Sequence, residues 1–306
     1  MYDLIIVGGG PAGLSAAVYA SRAGKKTLVL EKSVCGGQII NAHKVENYPG
    51  IKSISGSELA FSLYDQATSF GCEIASEEVT DIKLADDGVK VVITESGEYE
   101  AYAVIIATGA SGRKLGVENE ERFVGKGVSY CATCDGAFFK NKTVAVVGGG
   151  NTALDDAMYL SEFCKEVILI HRREEFRGDV GTLERLKERD NVRIITSATV
   201  TALNGEERLA SIEITNRDGV ASVEEVSGIF IAIGVIPATK AFTEIVGVDE
   251  TGYFQTDETC VTDKPGIFVA GDCRQKNIRQ LATAVSDGVV SALAAISYIT
   301  EHHRKV

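Results

Sequence analysis

A chain of 306 residues is longer than one hydrophobic core usually serves, so two domains are expected. Apolar residues at 45% and charged residues at 24% describe a globular chain, not a disordered or fibrous one. The net charge of −12 argues against nucleic acid or an anionic membrane as partner, because both demand a positive field.

Met1 leads almost directly into an apolar run, with no basic segment or cleavage site of a secretory leader, and no run approaches bilayer-spanning length. Seven cysteines, an odd number dispersed through a chain that needs no staples, read as thiols of a cytoplasmic protein. In chain order, Leu4-Ile5-Ile6-Val7 predicts a buried parallel strand, Gly8-Gly9-Gly10 a tight turn, and Leu14 to Ala23 a helix. Thr27 to Leu30 predicts a second strand ending at Glu31, and Val104 to Ala107 a late strand ending in Thr108-Gly109. The pattern then returns as strand Val144 to Val147, turn Gly148-Gly149-Gly150, helix Ala153 to Phe163 and strand Val167 to Ile170. A second late strand, Ile229 to Ile233, ends in Gly234. Glu31 stands 23 positions after Gly8, and His171 stands 23 positions after Gly148. The fold class that follows is α/β, with two Rossmann-like dinucleotide-binding domains, the second inserted into the first.

A glycine turn between a strand and a helix lets the backbone approach a pyrophosphate, whose charge the helix N-terminus stabilises. Glu31 suits the ribose hydroxyls of FAD or NAD. The second copy instead carries His171-Arg172-Arg173, with Arg177 beyond, and guanidinium groups bind a 2′-phosphate where a carboxylate would repel it. The other reading of the arginines is a solvated charged turn beside Glu174 and Glu175. Near the C-terminus, Ile267 to Ala270 predicts a strand ending in Gly271-Asp272, and a helix follows from about Ala282. Asp272 there suits a polyol such as ribityl, and the helix could aim its positive end at a flavin ring.

Cys131-Ala132-Thr133-Cys134-Asp135 is the chemical centre. Cysteines at i and i+3 can form a small-ring disulfide when one begins a helical turn, and Asp135 could move a proton to or from the departing sulfur. Zinc would need two more ligands at metal spacing, which Cys164 and His171 do not supply. A reduced structural pair stays open. Cys72, Cys164 and Cys260 read as small buried residues, and Cys35 as a loop thiol next to the first turn. His43, His302 and His303 read as surface residues.

These segments together resemble the bacterial low-molecular-weight thioredoxin reductases. The carrying motifs are GGGPAGLSAAVYASRAG (8–24), GGQI (36–39), ENYPG (46–50), CATCDG (131–136), GGGNTALDDAMYL (148–160), HRREEFRG (171–178), AIG (232–234), AGD (270–272) and IRQLATA (278–284). The resemblance implies an FAD-binding domain from residues 1–112 and 241–306, and an NADPH-binding domain at 113–240 that carries the CxxC pair. For FAD it implies Gly8, Gly10, Ala12, Gly13, Glu31, Gln38, Asn47, Gly271, Asp272, Arg279, Gln280 and Leu281. For NADPH it implies Gly148, Gly150, Asn151, Thr152, Ala153, His171, Arg172, Arg173 and Arg177. Catalysis would rest on Cys131, Cys134 and Asp135, with Cys134 favoured as the sulfur nearer the flavin. A homodimer and a thioredoxin substrate follow from the same resemblance. Docking would fall near Phe138 and Phe139, for which core packing is the other reading. Glu174 and Gly178 depart from a frequent aspartate and alanine, and neither change removes a phosphate ligand. A reductase of another disulfide, a dithiol oxidase and a non-enzymatic nucleotide-binding module stay open as alternatives.

Overall fold

The run after Met1 forms strand β1 (Tyr2–Val7), buried from Leu4 to Val7. The computed structural model describes residues 1–85 and 88–302, and His303 lies outside them. The chain divides into two units, Met1–Ser111 with Ile236–Val306, and Gly112–Val235.

In the first unit, β1 turns into α1 (Pro11–Arg22), which leads to β2 (Thr27–Leu30). Then come α2 (Gly56–Ser69), β3 (Glu73–Ala75), β4 (Val79–Leu84), β5 (Lys90–Thr94) and β6 (Glu98–Ile106). Ser55 starts α2 with a reciprocal capping box to Glu58, which satisfies two otherwise orphaned donors. The sheet order is β3-β2-β1-β6-β5-β4. Its β1, β2, β3 and β6 pair in parallel, as apolar runs covered on both faces require. β4 and β5 pair antiparallel. Their half-exposed alternation carried no motif and went unread in the sequence.

β7 (Ala110–Gly112) leads into the second unit. There, α3 (Glu120–Phe123), β8 (Val128–Ser129) and α4 (Ala132–Asp135) precede β9 (Thr143–Val147), α5 (Asn151–Ser161) and β10 (Glu166–Ile170). After α6 (Val180–Lys187) come β11 (Val192–Ile195), β12 (Ala198–Asn204), β13 (Ser211–Asn216), β14 (Ala221–Glu225) and β15 (Gly228–Ile231). The parallel sheet runs β11-β10-β9-β15-β8, and β12-β13-β14 make a separate antiparallel sheet. β16 (Val235–Pro237) pairs with β7, and β17 (Ile267–Val269) adds to β6 of the first sheet.

The last element, α7 (Leu281–His302), is by length and composition apolar enough to cross a bilayer, more so than the sequence reading allowed. Its Ala284, Ala292, Ala295 and Ile299 nevertheless lie in one core with Leu14, Ala17 and Ala20 of α1. It is the core helix of the first unit.

Both helices that follow a glycine turn start earlier than the apolar pattern predicts, at Pro11 and Asn151, because Gly10 and Gly150 serve as N-caps. Proline at the first helical position loses no bond there. The turns themselves are built alike. Gly8 has φ 108 and Gly148 φ 158, and a Cβ on either would come within 2.4 Å of the carbonyl oxygen of Ala107 or Ala232, respectively. Any other residue would push the turn off the neighbouring late strand.

A buried ion cluster ties α7 to the loop after β17. Arg274, 2% exposed, donates to both oxygens of Asp287 from Nε and Nη2, at 2.8 and 2.9 Å. Lys276 Nζ donates to Asp287 Oδ2 at 3.0 Å, and the Gly271 N–H donates to the same oxygen at 3.0 Å. Burial opposes the Asp287 charge, but the Arg274 and Lys276 bonds outweigh it and hold the carboxyl below its ordinary range. Removing one member of such a cluster strands the others. Asp287→Ala should therefore lower the unfolding free energy by about 3–5 kcal/mol, read from guanidinium denaturation followed by circular dichroism. A loss under about 1 kcal/mol would show that the cluster is not a stabilising unit.

Candidate active site

Cys131 caps the short helix α4, so its carbonyl accepts the N–H groups of Cys134 and Asp135, both at 3.2 Å. That turn brings the two Cα atoms to 5.3 Å, and the sulfurs are joined as a disulfide. The next side chain, Asp135, is half-buried and takes a 2.6 Å hydrogen bond on Oδ2 from the Ser129 hydroxyl. Ser129 Oγ in turn accepts the Cys131 N–H at 3.1 Å. Burial raises the Asp135 carboxyl above its ordinary range, and the Ser129 bond opposes that rise without cancelling it. A carboxyl raised toward neutrality and adjacent in sequence to Cys134 is a candidate proton carrier. The sequence reading missed Ser129. A lone serine at the end of a two-residue strand carries no motif, and its role exists through the fold of the turn.

Phe139 packs edge-on against Phe230 with centroids 5.4 Å apart and lies over Gly228, which places its ring in the core of the second unit. Phe138 is half-buried. Burial pushes Cys35 and Cys164 up to about 11, and Cys72 and Cys260 up to about 12. His43 and His302 are exposed.

In the first unit the residues singled out around the first turn come together. Gly10 faces Gly37, one residue from Gln38, on the 3₁₀ segment Gly37–Asn41. Ala12 lies against Gly271, and Asn47 Nδ2 reaches Gln280 Oε1 at 3.5 Å, just before Leu281 opens α7. Gly13 lies in the first turn of α1. Glu31 Oε2 accepts the Gly9 N–H at 2.7 Å, while Oε1 accepts from Ser33. Arg279 stacks over Tyr253 at 3.9 Å and directs Nε toward the Asp272 carbonyl at 3.5 Å.

Asp272 Oδ1 is buried without a hydrogen bond. Lys276 Nζ lies 3.2 Å from it as an ion pair. Burial raises this carboxyl and Lys276 opposes the rise. A buried acceptor still seeking a donor, beside a helix N-terminus with no side-chain cap at Gly10, fits a dinucleotide with polyol hydroxyls.

The second unit repeats the plan with different chemistry. Gly150 caps α5 without a side-chain bond, and a Cβ built on it would meet nothing within 4 Å, which leaves room for a phosphate. The turn carries Asn151, Thr152 and Ala153 into the first turn of α5, and Asn151 Oδ1 accepts the Asp179 N–H at 2.7 Å. The N–H groups of Arg177 and Gly178 both donate to the Gly149 carbonyl. These bonds lay the arginine-bearing loop along the glycine turn. His171 is buried over Gly149, and its Nε2 lies 3.1 Å from the Glu175 carbonyl oxygen. Burial, with Arg172, Arg173 and Arg177 nearby, holds its imidazole below the ordinary value and therefore neutral at pH 7. Arg172 and Arg173 are exposed and form no side-chain hydrogen bond or ion pair among the described residues.

The profile of the pyridine nucleotide-disulphide oxidoreductase family matches residues 2–288. Thioredoxin reductase of Listeria innocua is 44% identical, over 98% of this chain and 95% of its own length. That of Bacillus subtilis is 42% identical, over 98% and 96%. The thioredoxin reductase structure from Streptococcus pyogenes superposes with a TM-score of 0.94 at 40% identity, covering 98% of this chain and 99% of that one. The chain belongs to the thioredoxin reductase family.

For a thioredoxin reductase, the Ser129–Asp135–Cys131 arrangement has a direct consequence. The Ser129 hydroxyl donates to the ionised form of Asp135, so Ser129→Ala should raise that carboxyl further and move the acid limb of the disulfide-reduction pH profile upward. Asp135→Asn should abolish the limb and cut turnover on the order of 10²-fold. Steady-state pH profiles of thioredoxin reduction test both, and a Ser129→Ala profile that overlays the parent would contradict the coupling.

Proposed function

We propose that this chain is an NADPH-dependent thioredoxin-disulfide reductase, and the observation that carries the reading is the Cys131–Cys134 disulfide beside Asp135, whose carboxyl burial holds above its ordinary range. The net reaction takes NADPH, a proton and a thioredoxin disulfide to NADP⁺ and a thioredoxin dithiol. FAD supplies a two-electron carrier that accepts hydride from the nicotinamide and passes the electron pair to the protein disulfide. In the family, FAD and NADPH are the cofactors used.

The chain's own residues do the rest. Gly8, Gly10, Ala12 and Gly13 would cradle the flavin pyrophosphate, Glu31 the ribose, and Asp272 the ribityl chain. Gln38, Asn47, Gly271, Arg279, Gln280 and Leu281 would border the remainder. Gly148, Gly150, Asn151, Thr152 and Ala153 would hold the NADPH pyrophosphate, and Arg172, Arg173 and Arg177 its 2′-phosphate. His171, neutral and buried, would serve as the floor of that turn. Cys131 and Cys134 take up two electrons and two protons as the S–S bond opens. Asp135 supplies or removes a proton at sulfur, so that one thiolate attacks the thioredoxin disulfide, a mixed disulfide forms, and the second sulfur displaces the thioredoxin thiol.

Thioredoxin would dock near Phe138 and Phe139, both half-buried, with the Phe139 ring edge-on to Phe230. A homodimer and a cytoplasmic location complete the proposal. The protonated, largely buried lone thiols, which need no oxidising compartment, support that location.

Cys134→Ser tests the assignment. NADPH should still bleach the flavin of this variant, while thioredoxin turnover should fall below about 1% of the parent rate. Turnover within about twofold of the parent would contradict the role of the pair.

A further inference from the structure

Arg172 and Arg173 open onto a groove of about 420 Å³, and the other contributors to it are unexpected. Ser197, Asn216 and Arg217 line it from the antiparallel sheet β12-β13-β14 and its entry, a region no nucleotide motif touches. Backbone hydrogen bonds fix how that sheet meets the arginine turn. Ser197, at φ 53, donates its N–H to the Arg173 carbonyl at 3.1 Å, and Ala198 donates to the His171 carbonyl at 3.1 Å. Ala198 pairs across the sheet with Asn216, the residue before Arg217. Asn216 Oδ1 then accepts the N–H groups of Asp218 and Val220, at 3.0 and 2.9 Å, which sets the hairpin from which Arg217 projects.

Three guanidinium groups thus border one groove, with Glu174 as the carboxylate among them. None of the three forms an ion pair or side-chain hydrogen bond among the described residues, on a chain whose net charge is −12. Unpaired like charges gathered in one groove repel one another unless an anion joins them. We propose that Arg217 is a further specificity-determining guanidinium for the 2′-phosphate of NADPH, a fourth beside Arg172, Arg173 and Arg177, delivered by the β13–β14 hairpin. The inference rests on the reading of Arg172 and Arg173 as 2′-phosphate ligands and extends it to a second structural element. The hairpin makes the pocket two-sided: one wall belongs to the βαβ unit, the other to the appended sheet.

Binding of 2′,5′-ADP and of 5′-AMP to the flavin-loaded protein, measured by calorimetry, separates the possibilities. Arg217→Ala should weaken 2′,5′-ADP roughly five- to tenfold and leave 5′-AMP within about twofold, with Arg217→Lys retaining part of the loss. Circular dichroism melts of both variants check that the hairpin still folds. If Arg217→Ala leaves 2′,5′-ADP unchanged, or weakens both ligands equally, while Arg172→Ala selectively weakens 2′,5′-ADP, the role of Arg217 is overturned and the NADPH reading stands. If neither variant discriminates between the two ligands, both fall together.

Discussion

Uncapped helix N-termini, held at the ends of buried parallel strands, are the constraint on which the remaining structure depends. α1 and α5 each begin at a glycine with no side-chain cap, so their first N–H groups seek an external anion. Gly8 and Gly148 make that possible by pressing their turns against the late-strand carbonyls of Ala107 and Ala232, where a Cβ has no room. The side chain at the end of the following strand then covers the middle glycine, Glu31 in one unit and His171 in the other. On the proposed function, one backbone device would serve two nucleotides, with the side chain beyond it deciding which.

Charge enforces that decision. The chain is acidic overall, yet the turn after β10 gathers arginines with no carboxylate bonded to them among the described residues. In the first unit the logic is reversed, because acceptors dominate: Glu31 and the buried Oδ1 of Asp272, with Arg274 paired to Asp287 and Lys276 shared between Asp287 and Asp272. Asp287 thereby does two jobs. It pairs with two buried cations and, through the Gly271 N–H, fixes the backbone from which Asp272 projects.

Much of this was legible in the sequence because it is local. The strands at Leu4, Thr27, Val104, Val144, Val167, Ile229 and Ile267 announce themselves as short β-branched or aliphatic runs, which a sheet covered on both faces demands. The CxxC pair likewise declared its chemistry through spacing. The three-stranded sheet β12-β13-β14 did not, since its outward residues are Thr, Glu and Ser and its partners are set by pairing rather than by any motif. Ser129, Lys276, Asp287 and Arg217 escaped for a related reason. The first three act on other side chains and Arg217 borders a groove that only the fold assembles, and a single polar side chain has no sequence period to reveal it.

An anaerobic titration of the visible spectrum tests the whole electron path at once. NADPH added to the purified protein should bleach the flavin absorption, and oxidised thioredoxin should then restore it with one disulfide reduced per NADPH consumed. A protein that remains colourless after incubation with FAD, or a bound flavin that NADPH cannot bleach, would contradict the account.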